Sequence, residues 1–396
     1  MSGRDVDHGL RQGELIFDDA EIAKVRGGFD AARLTQARLL KGRSKADVAR
    51  ELNVSPAAVG QWEAGIQPPR PYLIAELAAY LDVPPAFFAL GRPYARMDAG
   101  TAHFRSLRRT RASHRDKAVA FVEQLWELTY ALEKRVELPA VDLPNMDAGG
   151  LRWSAKDVPD DPESAARYIR TSWNVPAGPF RHLVNTLENH GIIVSHVPFA
   201  GTDTATIDAF STSHLVRPLV VTTPDRANDV YRHRFTVAHE LGHLLLHHNV
   251  APGDIQQERE ADSFAAALLT PIDEVAKDMP SRLHLSALDP VSRKWGVSIK
   301  SLIRRSRELG SVSDVSARRA YQRYEQLRAA GAIHPEPISL YRGESPTLLR
   351  RAFETAEKYG SLTLPQLAEE LVWDVKRVRL LLGIDDQRPR LTLVKF

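Results

Sequence analysis

At 396 residues, with a net charge of +3, 43% hydrophobic and 26% charged side chains and no cysteine, the chain reads as a soluble globular protein of two or three domains. That composition excludes disulfides, thiolate metal ligands and cysteine nucleophiles, and no apolar run reaches the length of about 18 residues that a membrane span needs. The polar start MSGRDVDHGLRQGELIFDDAE lacks an apolar signal core, which with the missing cysteines sets the expectation of a cytoplasmic protein without a membrane partner. Charge is unevenly spread. Seven Lys/Arg stand against three Asp/Glu from Ala31 to Arg70, and eight against two from Gly91 to Ala118, patches suited to phosphate.

Residues 28–90 read as short helices with tight turns, centred on SKADVARELNVSPAAVGQWEAG between Ser44 and Gly65. Val48, Ala49 and Leu52 give one helix an inward face, and small Ala49 lets a second helix cross closely. Asn53 tolerates the left-handed backbone of a tight turn, and Val54 plugs the core. Ser55 caps the next helix with Pro56 at its first position, Val59 and Trp62 face inward, and Gly65 ends it. This is a helix-turn-helix pattern, and with the trailing WEAGIQPPRP and IAELAAYLDVPPAFF it resembles the Xre/Cro repressor family. The second helix of such a motif enters the major groove, placing Ser55, Pro56, Ala57 and Gln61 toward base edges. Gln61 is the one able to bond adenine bidentately, while Ser44 and Lys45, helped by Arg43, suit phosphates. Double-stranded operator DNA is the implied partner, and a protein-interaction module on the same fold is the alternative.

Residues 91–150 begin with the basic FRSLRRTRASHR, suited alike to DNA phosphates, an acidic partner or solvent. An amphipathic connecting helix, KAVAFVEQLWELTYALEKRV, follows, then a linker in ELPAVDLPNMDAGG.

From 151 to 275 helices and strands alternate: helices at ESAARYIRTSW and FRHLVNTLENHG, strands at IIVSHVPF and PLVVTT, then RFTVAHELGHLLLHH. His239 and His243, four apart on a helix, share one face and can reach one ion. Glu240, offset by about 100°, can address a water without being a ligand. Thr236 is placed near the N-cap, and His247 and His248 at the helix end. In the next run, QQEREADSFAAALLTP, the buried stripe of Ala261, Phe264, Ala265 and Leu268 puts Glu258 on the inward face one turn before Ala261. Glu258 is therefore the preferred third ligand and Glu260, on the edge, its rival. Asp262 can hydrogen-bond a ligating histidine from behind. His233, His247 and Tyr231 are candidates to stabilise an oxyanion.

RFTVAHELGHLLLHH followed by EREADSFAAALLTP, with WNVPAGPFRHLVNTLENHGIIVSHVPF and DAFS upstream, resembles the ImmA/IrrE family of bacterial metallopeptidases over roughly residues 160–275. The resemblance implies a zincin-like α+β domain holding Zn²⁺ through His239, His243 and a glutamate, and peptide hydrolysis directed at repressor proteins. Zinc would bring a water's pKa toward neutrality, and Glu240 would take its proton and return it to the leaving amine.

Residues 276–396 read as helical. KWGVSIKSLIRRSRELG resembles a segment that follows the peptidase core in such fusions. In LPQLAEELVWDVKRVRLLLG, Ala368, Leu371, Trp373 and Val378 repeat the offsets of Ala49, Leu52, Val54 and Val59. The turn lacks Gly or Asn, so a helical packing or partner-binding module is the reading taken. The fold expected overall is multidomain and mainly α, with an N-terminal helix-turn-helix, a central α+β zincin-like domain and a helical C-terminal region.

The function expected is a DNA-binding transcriptional regulator whose zinc metallopeptidase domain cuts a repressor or partner protein. The alternative is a repressor or antitoxin of a toxin–antitoxin or phage-type system whose peptidase-like domain is a sensor or toxin-binding surface. Repressors of this type usually read palindromes as dimers. A homodimer fits that habit, yet no heptad repeat supports one and the oligomeric state stays open.

Overall fold

A computed structural model describes residues 19–89, 91, 103–104, 112–144, 158–196, 209–212, 217–223, 228–247 and 254–384. They fall into two compact units that divide near residue 95, except that Val372–Asp374 group with the first. No helix among the described residues is long and apolar enough to cross a membrane.

The first unit is all helical: α1 (Asp19–Gly27), α2 (Ala31–Leu40), α3 (Lys45–Glu51), α4 (Pro56–Glu63), α5 (Pro71–Leu81) and a 3₁₀ turn at Pro85–Ala89. Local chemistry sets these boundaries. Ser44 and Asp47 form a reciprocal capping box at the start of α3, with Asp47 N donating to Ser44 Oγ at 3.1 Å and Ser44 N to Asp47 Oδ2 at 2.9 Å. Ser55 caps α4 by accepting from Ala58 N at 3.1 Å. Asn53 takes the left-handed turn at φ 53° and Gly65 ends α4 at φ 69°. Val48, Ala49, Val59 and Trp62 are buried, as the spacing anticipates, and Val54 is half-buried.

The second unit sets helices around one small sheet. In chain order it contains β1 (His103–Phe104), α6 (Ala112–Glu133), α7 (Pro162–Ser172), α8 (Leu183–Asn189), β2 (Ile193–His196), β3 (Ala209–Thr212), β4 (Leu219–Thr222), α9 (Val230–Leu246) and α10 (Ile255–Leu269). There follow α11 (Ile272–Val275), α12 (Leu285–Trp295), α13 (Ile299–Glu308), α14 (Asp314–Ala329), α15 (Leu348–Lys358), α16 (Leu364–Leu371) and α17 (Val375–Leu382). The strand order is β1-β3-β4-β2, with β2 parallel to β4 and β3 antiparallel to both β4 and β1. The sequence pattern shows neither β1 nor β3 as a strand. All four residues of β3 are buried, so no inside–outside alternation marks it.

Helix α6, expected as an amphipathic connecting helix, buries Ala118, Val122, Leu125, Leu128 and Leu132 fully. The stretch expected as a linker is packed in its described part. Leu138, Val141 and Leu143 are buried, and the Asp142 carbonyl accepts from Trp173 Nε1 at 3.0 Å. Proline and glycine there shape an irregular but buried path. Residues 105–111 of the basic run, 145–150 of the linker and His248 lie outside the described residues.

A single hydrophobic core joins Val237, Ala238 and Leu241 of α9 and Phe264 of α10 to Leu288, Trp295, Leu302 and Ile303 of α12 and α13. The chain beyond α14 also returns to α9. Glu336 O accepts from Val230 N at 2.8 Å, Tyr341 Oη meets Tyr231 Oη at 3.1 Å, and the Glu344 carboxylate pairs with buried Arg234. These residues strap the first turns of α9.

In the C-terminal region, α16 and α17 are joined by a tight turn despite lacking Gly or Asn there. Val372 stands where Asn53 stands in the first motif and takes φ 52° against 53°. Thr363 and Gln366 stand where Ser44 and Asp47 do and bond in the same capping sense, Thr363 N to Gln366 Oε1 at 2.8 Å and Gln366 N to Thr363 Oγ1 at 3.4 Å. A β-branched residue in the left-handed region is strained, so packing of the two helices overrides local preference here.

Candidate metal centre

Helix α9 starts earlier than the sequence suggests. Asp229 caps it by accepting from Arg232 N at 3.1 Å, so Thr236 lies two turns in and is buried rather than at the N-cap. The reason is that Val230, His233 and Arg234 already face inward, extending the buried stripe backwards. The longer helix holds His239, Glu240 and His243 in the interior, each at most 1% exposed.

Gly242 sets the distance to α10. A Cβ there would sit 3.0 Å from Phe264 Cδ1 and 3.3 Å from Ala261 Cα, so only glycine permits this approach without displacement. The closeness brings Glu258 across: its carboxylate oxygens lie 3.5 Å from His239 Nε2 and 3.4 Å from His243 Nε2, and the two Nε2 atoms are 3.0 Å apart. Among the described residues this is the group of His, Asp and Glu side chains whose donor atoms converge closely enough to hold a metal ion. Ligands about 2.0–2.1 Å from a tetrahedral zinc stand about 3.3 Å from each other, close to all three separations. Two imidazole nitrogens and a carboxylate are also a donor set zinc accepts with an open position, so the residues present fit the ion.

The surrounding partners orient these donors. His239 Nδ1 donates to Asp262 Oδ1 at 2.8 Å, which leaves Nε2 a lone pair. Glu260 does not join the set. Its Oε2 accepts from His247 Nε2 at 2.9 Å, and His247 Nδ1 is 3.0 Å from His243 Nδ1. His247 sits at the end of α9 as expected, but its buried ring points back at α9's own histidine, and burial holds its pKa below the usual imidazole value despite Glu260. Burial raises the Glu258 carboxyl, but the facing imidazoles of His239 and His243 outweigh it and hold the group at about 2.

Glu240 Oε2 accepts from Ser211 Oγ of β3 at 2.8 Å, both residues being fully buried. Ser211 carries no spacing signal. Only the quoted DAFS segment contains it. Of the oxyanion candidates, Tyr231 bonds Tyr341, and His233 Nε2 donates to the Glu344 carbonyl at 3.0 Å. His233 instead neighbours a second imidazole, that of half-buried His196, with ring centroids 5.3 Å apart. Burial lowers His196 to about 4 and, with help from His196, lowers His233 to about 3.

In the helix-turn-helix unit, Ser55, Pro56, Ala57 and Gln61 are exposed along α4, with Gln61 Oε1 accepting from Gln67 Nε2 at 2.7 Å. Ser44 is taken up by the capping box, and Lys45 Nζ lies 3.3 Å from Glu63 Oε2. Arg43 lies over Tyr80, 5.7 Å from the ring centroid.

Two family models match the chain: residues 34–88 match one described as Helix-turn-helix, and residues 187–307 match a peptidase family described as IrrE N-terminal-like domain. No curated protein matches it at a significant level. The chain therefore combines an Xre-type helix-turn-helix segment with an IrrE/ImmA-like peptidase domain.

Proposed function

We propose that this chain is a DNA-binding regulator whose zinc metallopeptidase domain cleaves a regulatory protein, a repressor or a partner. The observation that carries the reading is the convergence of His239 Nε2, His243 Nε2 and Glu258 beside the buried carboxylate of Glu240. A structural zinc would close its shell with a fourth protein donor and have no use for Glu240, whereas three donors beside a buried glutamate one residue from a ligand suit proton transfer to and from a bound water.

His239, His243 and Glu258 would hold the ion, which when bound supplies Lewis-acid activation of water. Glu240 serves as general base, accepting a proton at its carboxylate and returning it to the leaving amine. The Ser211 hydroxyl fixes that carboxylate by donating to Oε2. In the other unit, α4 enters the major groove with Gln61 toward a base edge, while Ser55 and Ala57 pass close to the DNA.

The test uses full-length protein purified from its host. Wild type is expected to carry stoichiometric zinc by elemental analysis, and His239→Ala to carry none. Glu240→Gln should keep zinc and lose about 10²–10⁴ in cleavage rate while trapping the substrate protein. Equal cleavage by wild type and Glu240→Gln would remove Glu240 from the mechanism. Zinc without any cleavage would leave the domain as a sensor or toxin-binding surface.

A further inference from the structure

We infer that His247 and Glu260 form a positioning pair that fixes the ring of His243 for the metal, in the same way that Asp262 fixes His239. The inference rests on the metal reading above and concerns residues outside the ligand set.

Hydrogen-bond directions settle the arrangement. Glu260 Oε2 can only accept, so His247 Nε2–H donates to it at 2.9 Å. A neutral imidazole carries one N–H, so His247 Nδ1 presents a lone pair. That lone pair lies 3.0 Å from His243 Nδ1, which must supply the proton between them. With its N–H committed there, His243 is left with a lone pair on Nε2, the atom that faces His239 Nε2 and Glu258. The relay reads Glu260, His247, His243, and its outcome is one ring tautomer and one ring plane. Asp262 does this for His239 in a single step at 2.8 Å. Both ligating histidines are therefore aimed by carboxylates of α10, the helix that also supplies Glu258.

The pair also has a stable seat. His247 follows the last residue of α9, its N–H still bonded to the His243 carbonyl at 3.0 Å, and its side chain is buried. Glu260 is about one-third exposed, and its second oxygen accepts from Gln256 Nε2 at 2.9 Å. An unfavourable Glu260 rotamer is thus opposed from both sides. A residue that only capped the helix would need neither contact.

The test measures zinc affinity of the full-length chain by chelator competition, together with the tautomer of His243 by long-range ¹H–¹⁵N correlation in histidine-labelled, metal-free protein. Glu260→Ala, at a partly exposed position, and His247→Ala are each expected to weaken zinc binding about 10–100-fold. In wild type His243 should be protonated at Nδ1, and in both variants its signals should shift toward a mixture of tautomers. The melting temperature of metal-free Glu260→Ala should stay near that of wild type, which separates aiming from general support. Zinc affinity within twofold of wild type in both variants, with Glu258→Ala losing zinc, would overturn the inference and leave the metal site standing. A wild type that binds no zinc would overturn both. A His243 protonated at Nε2 in the metal-free wild type would overturn the relay alone.

Discussion

His239, Glu240 and His243 announce themselves because helical periodicity fixes which side chains share a face. Glu258 could be preferred over Glu260 for the same reason, since the stripe through Ala261 and Phe264 tells which carboxylate faces inward. The roles of His247, Glu260 and Ser211 could not be read, because each depends on where a different element crosses α9 and no spacing along the chain records that. His196 and His233 belong to the same class, and they make a prediction about acid. His233 is buried and His196 half-buried, with pKa values near 3 and 4 against about 6.5 in the unfolded chain, so the unfolded state binds more protons between these limits. Stability should therefore be full above about pH 6.5 and fall as pH drops toward 4, by up to about 1.4 kcal/mol per pH unit for each histidine. Urea midpoints measured from pH 7 to pH 4.5 check this, and His233→Gln should flatten the slope by about half. A slope unchanged in that variant would remove His233 from the acid response.

At the scale of elements, the long helices and the strands β2 and β4 are legible in the sequence, whereas β1 and β3 are not. Helix α9 was visible from its apolar run, but its start was misplaced by two turns because the polar residues His233 and Arg234 point inward to polar partners. The crossing of α9 and α10 depends on a residue the motif leaves unspecified. Gly242→Leu should destabilise the unit by about 1–3 kcal/mol through overpacking against Phe264, and should also weaken zinc binding by moving Glu258 away. Denaturation midpoints and chelator competition on one sample read both effects, and a variant with normal zinc affinity would show that the close approach does not set the site. The α16–α17 turn gives the converse case. Replacing strained Val372 by Asn, the residue at the matching turn between α3 and α4, should raise stability by about 0.5–1 kcal/mol. A lower melting temperature would show that the valine side chain contributes more than its backbone strain costs.

For the molecule as a whole, zinc should act as a folding ligand. Binding the native but not the unfolded chain adds about 2.7 kcal/mol at a hundredfold excess of zinc over Kd, so a chelator should lower the melting temperature by several degrees and fresh zinc should restore it. A melting temperature indifferent to both would mean that the donors hold no ion. The strap from Glu336 to Glu344 across the start of α9 bears on how the chain is made. All the metal donors lie before residue 259, yet Val230 N, the Arg234 counter-charge and the His233 ring find their partners in residues 336–344. At about 5–20 residues per second a ribosome needs roughly 5–20 s to pass from His243 to Glu344. During that interval Arg234 has no counter-charge, and the helix bearing the motif waits unfinished. A chain ended at Gly310 would keep every donor and still bind zinc poorly. On the proposed metal reading, capture of the ion would wait until residue 344 has emerged, timed by a segment that touches none of the donors.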